Sequence, residues 1–426
     1  MTHPLIATQK FTAVRSIALA SALCCAGLAS AQTGPGVTLY GLADAGITSV
    51  SGLKAGTVTQ VASGIMEGSR WGIKGTEDMG GGYKTIFTLE SRVELDTGSV
   101  TSRPISGTQL SDRYSQAALL GLPATLQPAV AAVDGLLAAQ WGVNLTGNLF
   151  DRQAYVGVIT PVGAIMGGRM YTPAFETNAM YDIMETQSGL SAGQIVAFPA
   201  ALEIRKSNAL QYRFVKDGIS GSFMYALGEV AGDSGKGRML GLNANYKTGN
   251  FSVGIGHNQA NNELGQSSLT ATVLGASMNF GNDKLSGMLI KISDDNPNGL
   301  SAIAPALTPV VGAAAAGMVQ NAFLNAFKQD GTLSHIGYRH VTGPHAISVA
   351  YTHYNDNRPA DADVTSYGVA YTYSLSKRTD LNAVVVQYDN KNLAQVAPGG
   401  NGYIGGVTSS AGTGSTGLAF GIRHRF

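Results

Sequence analysis

The sequence predicts an all-β protein, a sixteen-stranded antiparallel β-barrel that spans a membrane, and three observations support this prediction. The chain begins with a basic and then apolar stretch of the kind that directs export. Most of the remaining sequence alternates apolar and polar residues with a period of two, in segments of about ten residues. Short and long connections between these segments alternate along the whole chain.

The first 31 residues have the features of a signal peptide. Lys10 and Arg15 precede the apolar run 17–28, which is followed by the small-residue triplet Ala-Ser-Ala at 29–31. This run is shorter than the roughly twenty apolar residues that a membrane-spanning helix needs, and no later run approaches that length. We therefore expect the signal peptide to be removed and residues 32–426 to form a barrel domain.

Composition excludes several other classes of protein. Cys24 and Cys25 are the only cysteines, so the mature chain has no disulfide framework. Loss of Lys10 and Arg15 changes the formal charge from +1 to −1, and this balance argues against a nucleic-acid partner. The 56 glycines follow no period of three, which fits short strands and turns rather than collagen.

Period-two alternation predicts sixteen strands, and an even number is usual in bacterial outer-membrane barrels. The predicted strands are 37–49, 69–74, 83–95, 150–160, 164–171, 205–215, 219–230, 238–246, 251–259, 269–280, 285–293, 332–341, 346–354, 364–375, 381–389 and 417–426.

Every second connection between these strands is short. The seven short connections are 76–82, 160–163, 216–218, 247–250, 281–284, 342–345 and 376–379. The longer ones are 50–68, 96–149, 172–204, 231–237, 260–268, 294–331, 355–363 and 390–416. In an antiparallel barrel this pattern predicts short periplasmic turns on one rim, together with both chain ends, and long outside loops on the other.

The last strand shows which face is apolar. One of its faces carries Leu418, Phe420, Ile422, His424 and Phe426, and the other carries Ala419, Gly421, Arg423 and Arg425. Strands 83–95 and 205–215 divide in the same way. A soluble barrel would turn the apolar row inward, but the signal peptide and the charged polar rows favour a lipid-facing apolar surface and a wet lumen. We expect the last strand to pair with the first, with Arg423 and Arg425 facing water.

Two of the long loops contain apolar, alanine-rich stretches. These are 119–145, within loop 96–149, and 300–327, within loop 294–331. Such surface on an outside loop must be covered, so we expect short helices that fold over the barrel mouth or pack against a neighbouring subunit.

Four motifs resemble the general porins of Gram-negative bacteria, beta-proteobacterial type. They are "VTLYGLADAG" (37–46), "SRWGIKGTEDMGGGYKTIFTLESR" (69–92), "DRQAYVGVITPVGAIMGGRMYTP" (151–173) and "GIRHRF" (421–426). The resemblance covers almost the whole mature chain. It implies an outer-membrane barrel, usually a homotrimer, in contact with outer-membrane lipids and lipopolysaccharide. It also implies an inward-folded third loop, here 172–204, and a terminal Phe426 that the outer-membrane assembly machinery reads.

The resemblance also implies a constriction between that loop and an arginine cluster on the wall. The loop carries Glu176, Asp182 and Glu185, and the wall positions that match the cluster are Arg70, Arg152 and Arg205. Further lumen candidates are Lys74, Lys84, Glu90, Arg92, Arg169 and Arg213. A guanidinium stays charged at any relevant pH, and a few fixed charges in a narrow pore set the potential that an ion meets. In the alternative interpretation the arginines lie at strand ends and pair with carboxylates or with lipid phosphates at the rim. Separately, the acidic loop residues could pair with the wall arginines, and this pairing would weaken any anion preference.

These observations predict a channel for passive diffusion of small hydrophilic solutes and ions, with some anion preference. The alternatives are a porin selective for small organic anions and a surface adhesin or antigen. His257, His345 and His353 lie in no nucleophile motif, so an enzyme is not expected. Neither a cofactor nor a metal site is expected, because no Cys/His cluster or phosphate-binding motif is present.

Overall fold

The computed structural model describes residues 36–426, and the predicted signal peptide lies outside this range. Its strands are β1 (Gly36–Leu53), β2 (Gly56–Ser63), β3 (Arg70–Gly80), β4 (Tyr83–Arg92), β5 (Gln153–Thr160), β6 (Gly163–Tyr171), β7 (Arg205–Lys216), β8 (Ile219–Ala226), β9 (Met239–Thr248), β10 (Phe251–Asn261), β11 (Ser267–Phe280), β12 (Asp283–Asp294), β13 (Gln329–Thr342), β14 (His345–Asp356), β15 (Val364–Ser374), β16 (Thr379–Asn390) and β17 (Ser415–Arg425).

The helices lie in three of the long loops. They are α1 (Asp112–Ser115), α2 (Gln127–Ala139), α3 (Pro173–Tyr181), α4 (Ile303–Val311) and α5 (Ala313–Phe327), with 3-10 turns at Ala124–Leu126 and Ala192–Gln194. Within the described residues, none of these helices is long and apolar enough to cross a membrane.

The seventeen strand segments occupy sixteen positions of a closed antiparallel barrel. Strand β1 pairs with β17 on one side, and on the other side it pairs with β2 along one half and with β3 along the other half. Since β2 and β3 share one flank of β1, they fill a single position in the barrel. The predicted closed sixteen-stranded barrel is therefore confirmed.

The first predicted loop, 50–68, is wrong in detail. Strands β1 and β2 continue through most of it and are joined by a turn at residues 54 and 55, flanked by Gly52 and Gly56 with positive φ angles of 76° and 89°. Glycine adopts this backbone conformation at little cost, so a tight hairpin forms there. The irregular part is confined to residues 64–69, which separate β2 from β3.

The barrel closes through its terminal residues. Leu42 on β1 lies opposite Arg425 on β17, and the register continues to Val50 opposite Gly417. Beyond this ladder, the Gly41 N–H donates to the Phe426 carbonyl and the Phe426 N–H donates to the Gly41 carbonyl, both at 3.1 Å. The Phe426 ring lies so close to Gly41 that a Cβ there would meet its Cζ at 2.2 Å. A side chain at position 41 would therefore displace the Phe426 ring, and its Cβ would also lie 2.9 Å from the Arg70 carbonyl oxygen.

The predicted division of faces holds along β7 and β17. On β17, Leu418, Phe420 and Ile422 are about half exposed, whereas Arg423 is buried. On β7, Leu210 is exposed and its neighbour Gln211 is buried. The apolar row therefore covers the outside of the barrel, as a lipid-facing surface requires.

The inner face of β11–β16 departs from the predicted pattern. Beside buried polar residues such as His335, Thr352 and Asn382, it carries apolar residues that form one core with the loop between β6 and β7: Val273, Ile290, Leu333, Val384, Val386 and Tyr388 on the wall, and Ile183, Met184, Leu190 and Ile195 on the loop. A strand covered on both faces is apolar on both faces. A hydrophobic core thus occupies this side of the lumen.

Glycines on the inner wall seat that loop. Tyr181, the last residue of α3, packs on Gly275, where a Cβ would meet its ring carbons at 2.3 Å. Ile183 packs on Gly337 in the same way, with 2.1 Å to its Cγ2. The Tyr388 hydroxyl donates to the Gly189 carbonyl at 2.8 Å. Loop 172–204 thus lies against the buried face of the strands rather than outside the barrel.

The two alanine-rich loops form helices and meet across the barrel mouth. Val130 and Val133 of α2 share a buried cluster with Leu307 of α4 and with Val319 and Phe323 of α5. The loop after β4 and the loop after β12 are eight positions apart in a ring of sixteen, so they start on opposite sides of the barrel. Their contact therefore places α2, α4 and α5 over the outer end of the lumen, and we call these three helices the helical cap.

Candidate functional site

The hydrophobic core between loop 172–204 and β11–β16 fills one side of the lumen, and an open cavity of about 660 Å³ remains on the other side. Strands β3–β9 form one wall, and loop 172–204 with residues 400–404 forms the other. Six arginines line it: Arg70, Arg92, Arg152, Arg169, Arg205 and Arg213. The structure thus brings together the three arginines predicted for the wall and four of the secondary candidates, Glu90, Arg92, Arg169 and Arg213.

Arg70 and Arg152 are held by carboxylates. The Arg152 Nε donates to Glu90 Oε1 at 2.8 Å, and the Arg70 Nη2 donates to Glu67 Oε2 at 3.0 Å. The Arg70 Nε lies 3.7 Å from Glu90 Oε2, and the Tyr40 hydroxyl donates to the same oxygen at 3.0 Å. These two guanidiniums are therefore largely neutralised by their own neighbours.

Arg205 is held differently, by an aromatic ring. Its Nη2 donates to the Tyr171 hydroxyl at 3.0 Å, and its guanidinium carbon lies 4.6 Å from the centroid of that ring. The Arg152 Nη2 donates to the same hydroxyl at 3.2 Å, so two guanidiniums share one phenol. Arg205 forms no ion pair with any residue between 36 and 426, and its buried Nε has no hydrogen-bond partner among them.

The other cavity arginines also divide into those with a carboxylate partner and those without one. Arg92 pairs with Glu94 at 3.0 Å and with Asp151 at 3.4 Å, and Arg213 pairs with Glu176. Arg169 donates to the Asp151 carbonyl at 2.5 Å and to Ser207 Oγ at 2.9 Å. Among the described residues Arg169, like Arg205, has no carboxylate partner within ion-pair distance.

The three acidic loop residues predicted for the constriction have three different positions. Glu176 binds Arg213 and accepts from Asn243 Nδ2, and Glu185 lines the cavity. Asp182 is fully buried and does not line the cavity, in contrast to its predicted place in the constriction. It accepts from Ser191 Oγ at 2.5 Å and from the backbone N–H groups of residues 184 and 192, so its charge closes a turn of the loop.

Two of the secondary candidates lie away from the cavity, towards the rim of short turns. Lys74 Nζ is 5.2 Å from the centroid of the Tyr40 ring, and Lys84 Nζ is 3.4 Å from Asp78 Oδ2. Neither lysine lines the cavity. The alternation placed both on the inner face, but it carries no information on height along the barrel axis.

Glu67 is a central residue that the sequence did not single out. One of its oxygens binds Arg423 Nη1 and Arg425 Nη2, each at 3.2 Å, and accepts from Gln187 Nε2 at 2.8 Å. The other oxygen of Glu67 binds Arg70. Glu67 thus joins the barrel seam, the loop and the arginine wall.

The prediction that Arg423 and Arg425 face water is wrong. Both side chains pair with Glu67 and with Asp380 instead.

Comparison with known proteins identifies the family. A family model described as Gram-negative porin matches residues 16–393, most of the chain. The chain belongs to the Gram-negative porins. Among curated relatives, "Outer membrane porin protein 32" of Delftia acidovorans is 26% identical over 97% of this chain and 99% of its own length. An outer membrane porin protein of Bordetella pertussis is also 26% identical, over 96% of this chain and 99% of its own length.

Solved structures agree on the fold. The "Anion-selective porin from Comamonas acidovorans" superimposes with a TM-score of 0.67 at 24% identity, covering 92% of this chain and all of that one. The trimer form of OmpT from Vibrio cholerae gives 0.58 at 12% identity, with the same coverage. This porin is therefore an outer-membrane channel for passive diffusion in a Gram-negative bacterium.

Proposed function

We propose that this porin prefers anions and that the arginine wall of its cavity produces the preference. The observation that carries the proposal is the imbalance of charge along the wall. Arg70, Arg92, Arg152 and Arg213 have carboxylate partners, whereas Arg169 and Arg205 have none within the described chain. A charge that has no local counter-ion acts on the permeating ion instead.

The facing loop contributes less negative charge than its sequence suggests. Asp182 is buried in the loop, Glu176 is paired with Arg213, and Glu203, which also lines the cavity, is paired with Lys206 at 3.1 Å. Glu185 is the remaining acidic residue of the loop, and it has no ion-pair partner among residues 36–426. In this proposal Arg205 and Arg169 attract anions, Arg70 and Arg152 with Glu90 shape the wall, and Glu185 moderates the field.

A second candidate is a porin selective for small organic anions. Tyr171 and Phe175 stack at 5.4 Å between ring centroids directly beside Arg205. A guanidinium next to aromatic rings suits a carboxylate attached to an apolar group. Reversal potentials measured with potassium salts of organic acids separate this candidate from a preference for any anion.

We also propose a homotrimer that contacts lipid and lipopolysaccharide through its apolar outer surface, and assembly through the terminal strand. The trimer form of the structurally similar OmpT supports the homotrimer. The exposed Phe426 ring at the end of the closing strand supports assembly through that strand. Native electrophoresis with and without heating tests the oligomer.

Planar-bilayer recording tests the channel and its selectivity together. Purified porin should give ohmic conductance steps, in threes for a trimer, and the reversal potential across a KCl gradient should have the sign of anion preference. Neutral replacement of Arg70, Arg152 and Arg205 together should shift that potential towards cations. A reversal potential that the triple variant leaves unchanged would remove the arginine wall from the account.

A further inference from the structure

A second, smaller cavity lies beneath the helical cap. Its volume is about 60 Å³. Its lining comes from four loops and the ends of strands β13, β14 and β15, and it includes Arg113, Arg358, Gln329, Trp141, Phe198 and Tyr354. Trp141, Gln194 and Ile404 line both this cavity and the 660 Å³ cavity, so the two adjoin. We call the smaller one the cap chamber.

Arg113 has hydrogen-bond donors that no described residue uses. Its Nε and Nη1 atoms are buried and lack a hydrogen-bond partner in the described chain. Its nearest carboxylate oxygen, Asp356 Oδ2, is 3.7 Å from Nη1, which is beyond hydrogen-bond distance. Leaving buried guanidinium donors unpaired is unfavourable, so an acceptor is expected to meet them.

Asp356 is already occupied by other donors. The Arg358 Nε donates to Oδ1 at 2.6 Å and its Nη2 donates to Oδ2 at 2.8 Å. The backbone N–H groups of Arg358 and Ala362 add two more bonds, each at 3.2 Å. Burial acts to lower the pKa of Arg358, but the bonds to Asp356 outweigh it, and the pKa is raised above its ordinary value. Asp356 is therefore bonded to Arg358 and forms only a 3.7 Å ion pair with Arg113, so the Nε and Nη1 donors of Arg113 have no acceptor among the described residues.

The cap chamber suits a small organic acid better than an inorganic ion. Trp141, Phe198 and Tyr354 provide apolar walls beside the unpaired donors of Arg113. At about 10–15 Å³ of such volume for one water, 60 Å³ admits a molecule of about four to six heavy atoms. Acetate and propionate have this size, a carboxylate for the guanidinium and an alkyl group for the walls.

We propose that the cap chamber binds a small aliphatic carboxylate through Arg113, outside the arginine wall and at the outer end of the permeation path. The site rests on this porin's being a channel but not on its overall anion preference. A porin that holds such a site concentrates short-chain carboxylates at its outer end before they reach Arg205.

Single-channel conductance against salt concentration tests the site. In potassium propionate the conductance of the native porin should saturate, whereas in KCl it should keep rising. Arg113→Gln should raise the half-saturating propionate concentration by about tenfold or more, the effect of losing a charge-assisted hydrogen bond. Arg113→Lys, which keeps the charge but loses the planar fork, should give an intermediate value.

Arg103→Gln is the matched control. Arg103 is an exposed arginine of the same loop, and it bonds the Ala139 carbonyl. This substitution removes the same charge without touching the cap chamber, so propionate saturation should stay as in the native porin. Heat-modifiable migration on gels and native-like conductance in KCl establish that each variant is folded.

Crystals soaked in bromopropionate locate the site directly. An anomalous bromine peak in the cap chamber, absent in Arg113→Gln, is the expected result. A linear propionate conductance, an equal shift in Arg103→Gln, or a chamber that holds only water would each overturn the proposal. The KCl reversal potential of Arg205 variants reports the arginine wall separately, so either proposal can fail without the other.

Discussion

Because the Tyr181 ring packs directly on Gly275, we predict that a single substitution at Gly275 weakens the packing of loop 172–204 against the barrel wall. In Gly275→Val the new Cβ would lie 2.3 Å from two ring carbons of Tyr181. Carbon atoms in contact are about 3.5–4.0 Å apart, so the ring must move by at least about 1.2 Å. That shift also breaks the 3.0 Å bond between the Tyr181 hydroxyl and Ser252 Oγ.

The size of the effect follows from these two losses. Overpacking costs about 1–3 kcal/mol and a lost hydrogen bond about 1 kcal/mol, so the seated state loses about 2–4 kcal/mol. At about 1.4 kcal/mol per factor of ten, the balance between seated and displaced loop shifts by roughly thirtyfold to a thousandfold. The barrel itself keeps its strand pairing and should fold.

Single-channel recording shows the loosened loop. We expect Gly275→Val to give a changed conductance level with added open-channel noise, since the loop forms one wall of the 660 Å³ cavity. Gly287→Val is the matched control, because Gly287 lies on the next strand between the exposed Leu285 and Leu289. If both variants conduct with native amplitude and noise, the loop is not seated through Tyr181.

Two further predictions concern the seam and the helical cap. Phe426→Ala should reduce the yield of folded, heat-modifiable porin in cells, whereas Phe420→Ala, equally exposed on the same face, should not; equal losses would show that general apolarity matters rather than the terminal residue. Phe323→Ala removes a fully buried ring from the cap core, a loss of about 3–5 kcal/mol, and should expose the cap loops to limited proteolysis while the barrel stays intact. Unchanged cleavage of the cap loops would contradict the packing described for α5.

The alternation of residues was sufficient to predict the barrel wall, because lipid selects an apolar row on one face of every strand. It was insufficient inside the lumen. Val384, Val385 and Val386 are three consecutive apolar residues, a run typical of a strand covered on both faces. That run signals a covered inner wall, but nothing local identifies the segment that covers it.

The arginine wall was also only partly predictable, because its charge partners are distant in sequence. Matching motifs located Arg70, Arg152 and Arg205, but the partners of these residues come from distant segments. Glu67 lies in the irregular stretch between β2 and β3, and it meets Arg423 only because the barrel closes. Asp182 was assigned to the pore by its place in the loop, whereas the turn that it closes depends on Ser191. Charge pairing of this kind follows from the three-dimensional fold.

The most direct test of the account compares two charge changes on the arginine wall. Arg205→Gln removes a guanidinium that has no carboxylate partner among the described residues, whereas the double variant Arg152→Gln with Glu90→Gln removes an ion pair and leaves the net charge unchanged. An ion that passes about 4 Å from a charge feels about 1 kcal/mol even at the dielectric constant of water, which corresponds to about fivefold in relative permeability. In a KCl gradient, Arg205→Gln should move the reversal potential towards cations by about that ratio, and the double variant should stay near the native value. An unchanged potential in Arg205→Gln, or an equal shift in both, would contradict the claim that unpaired arginines set the selectivity.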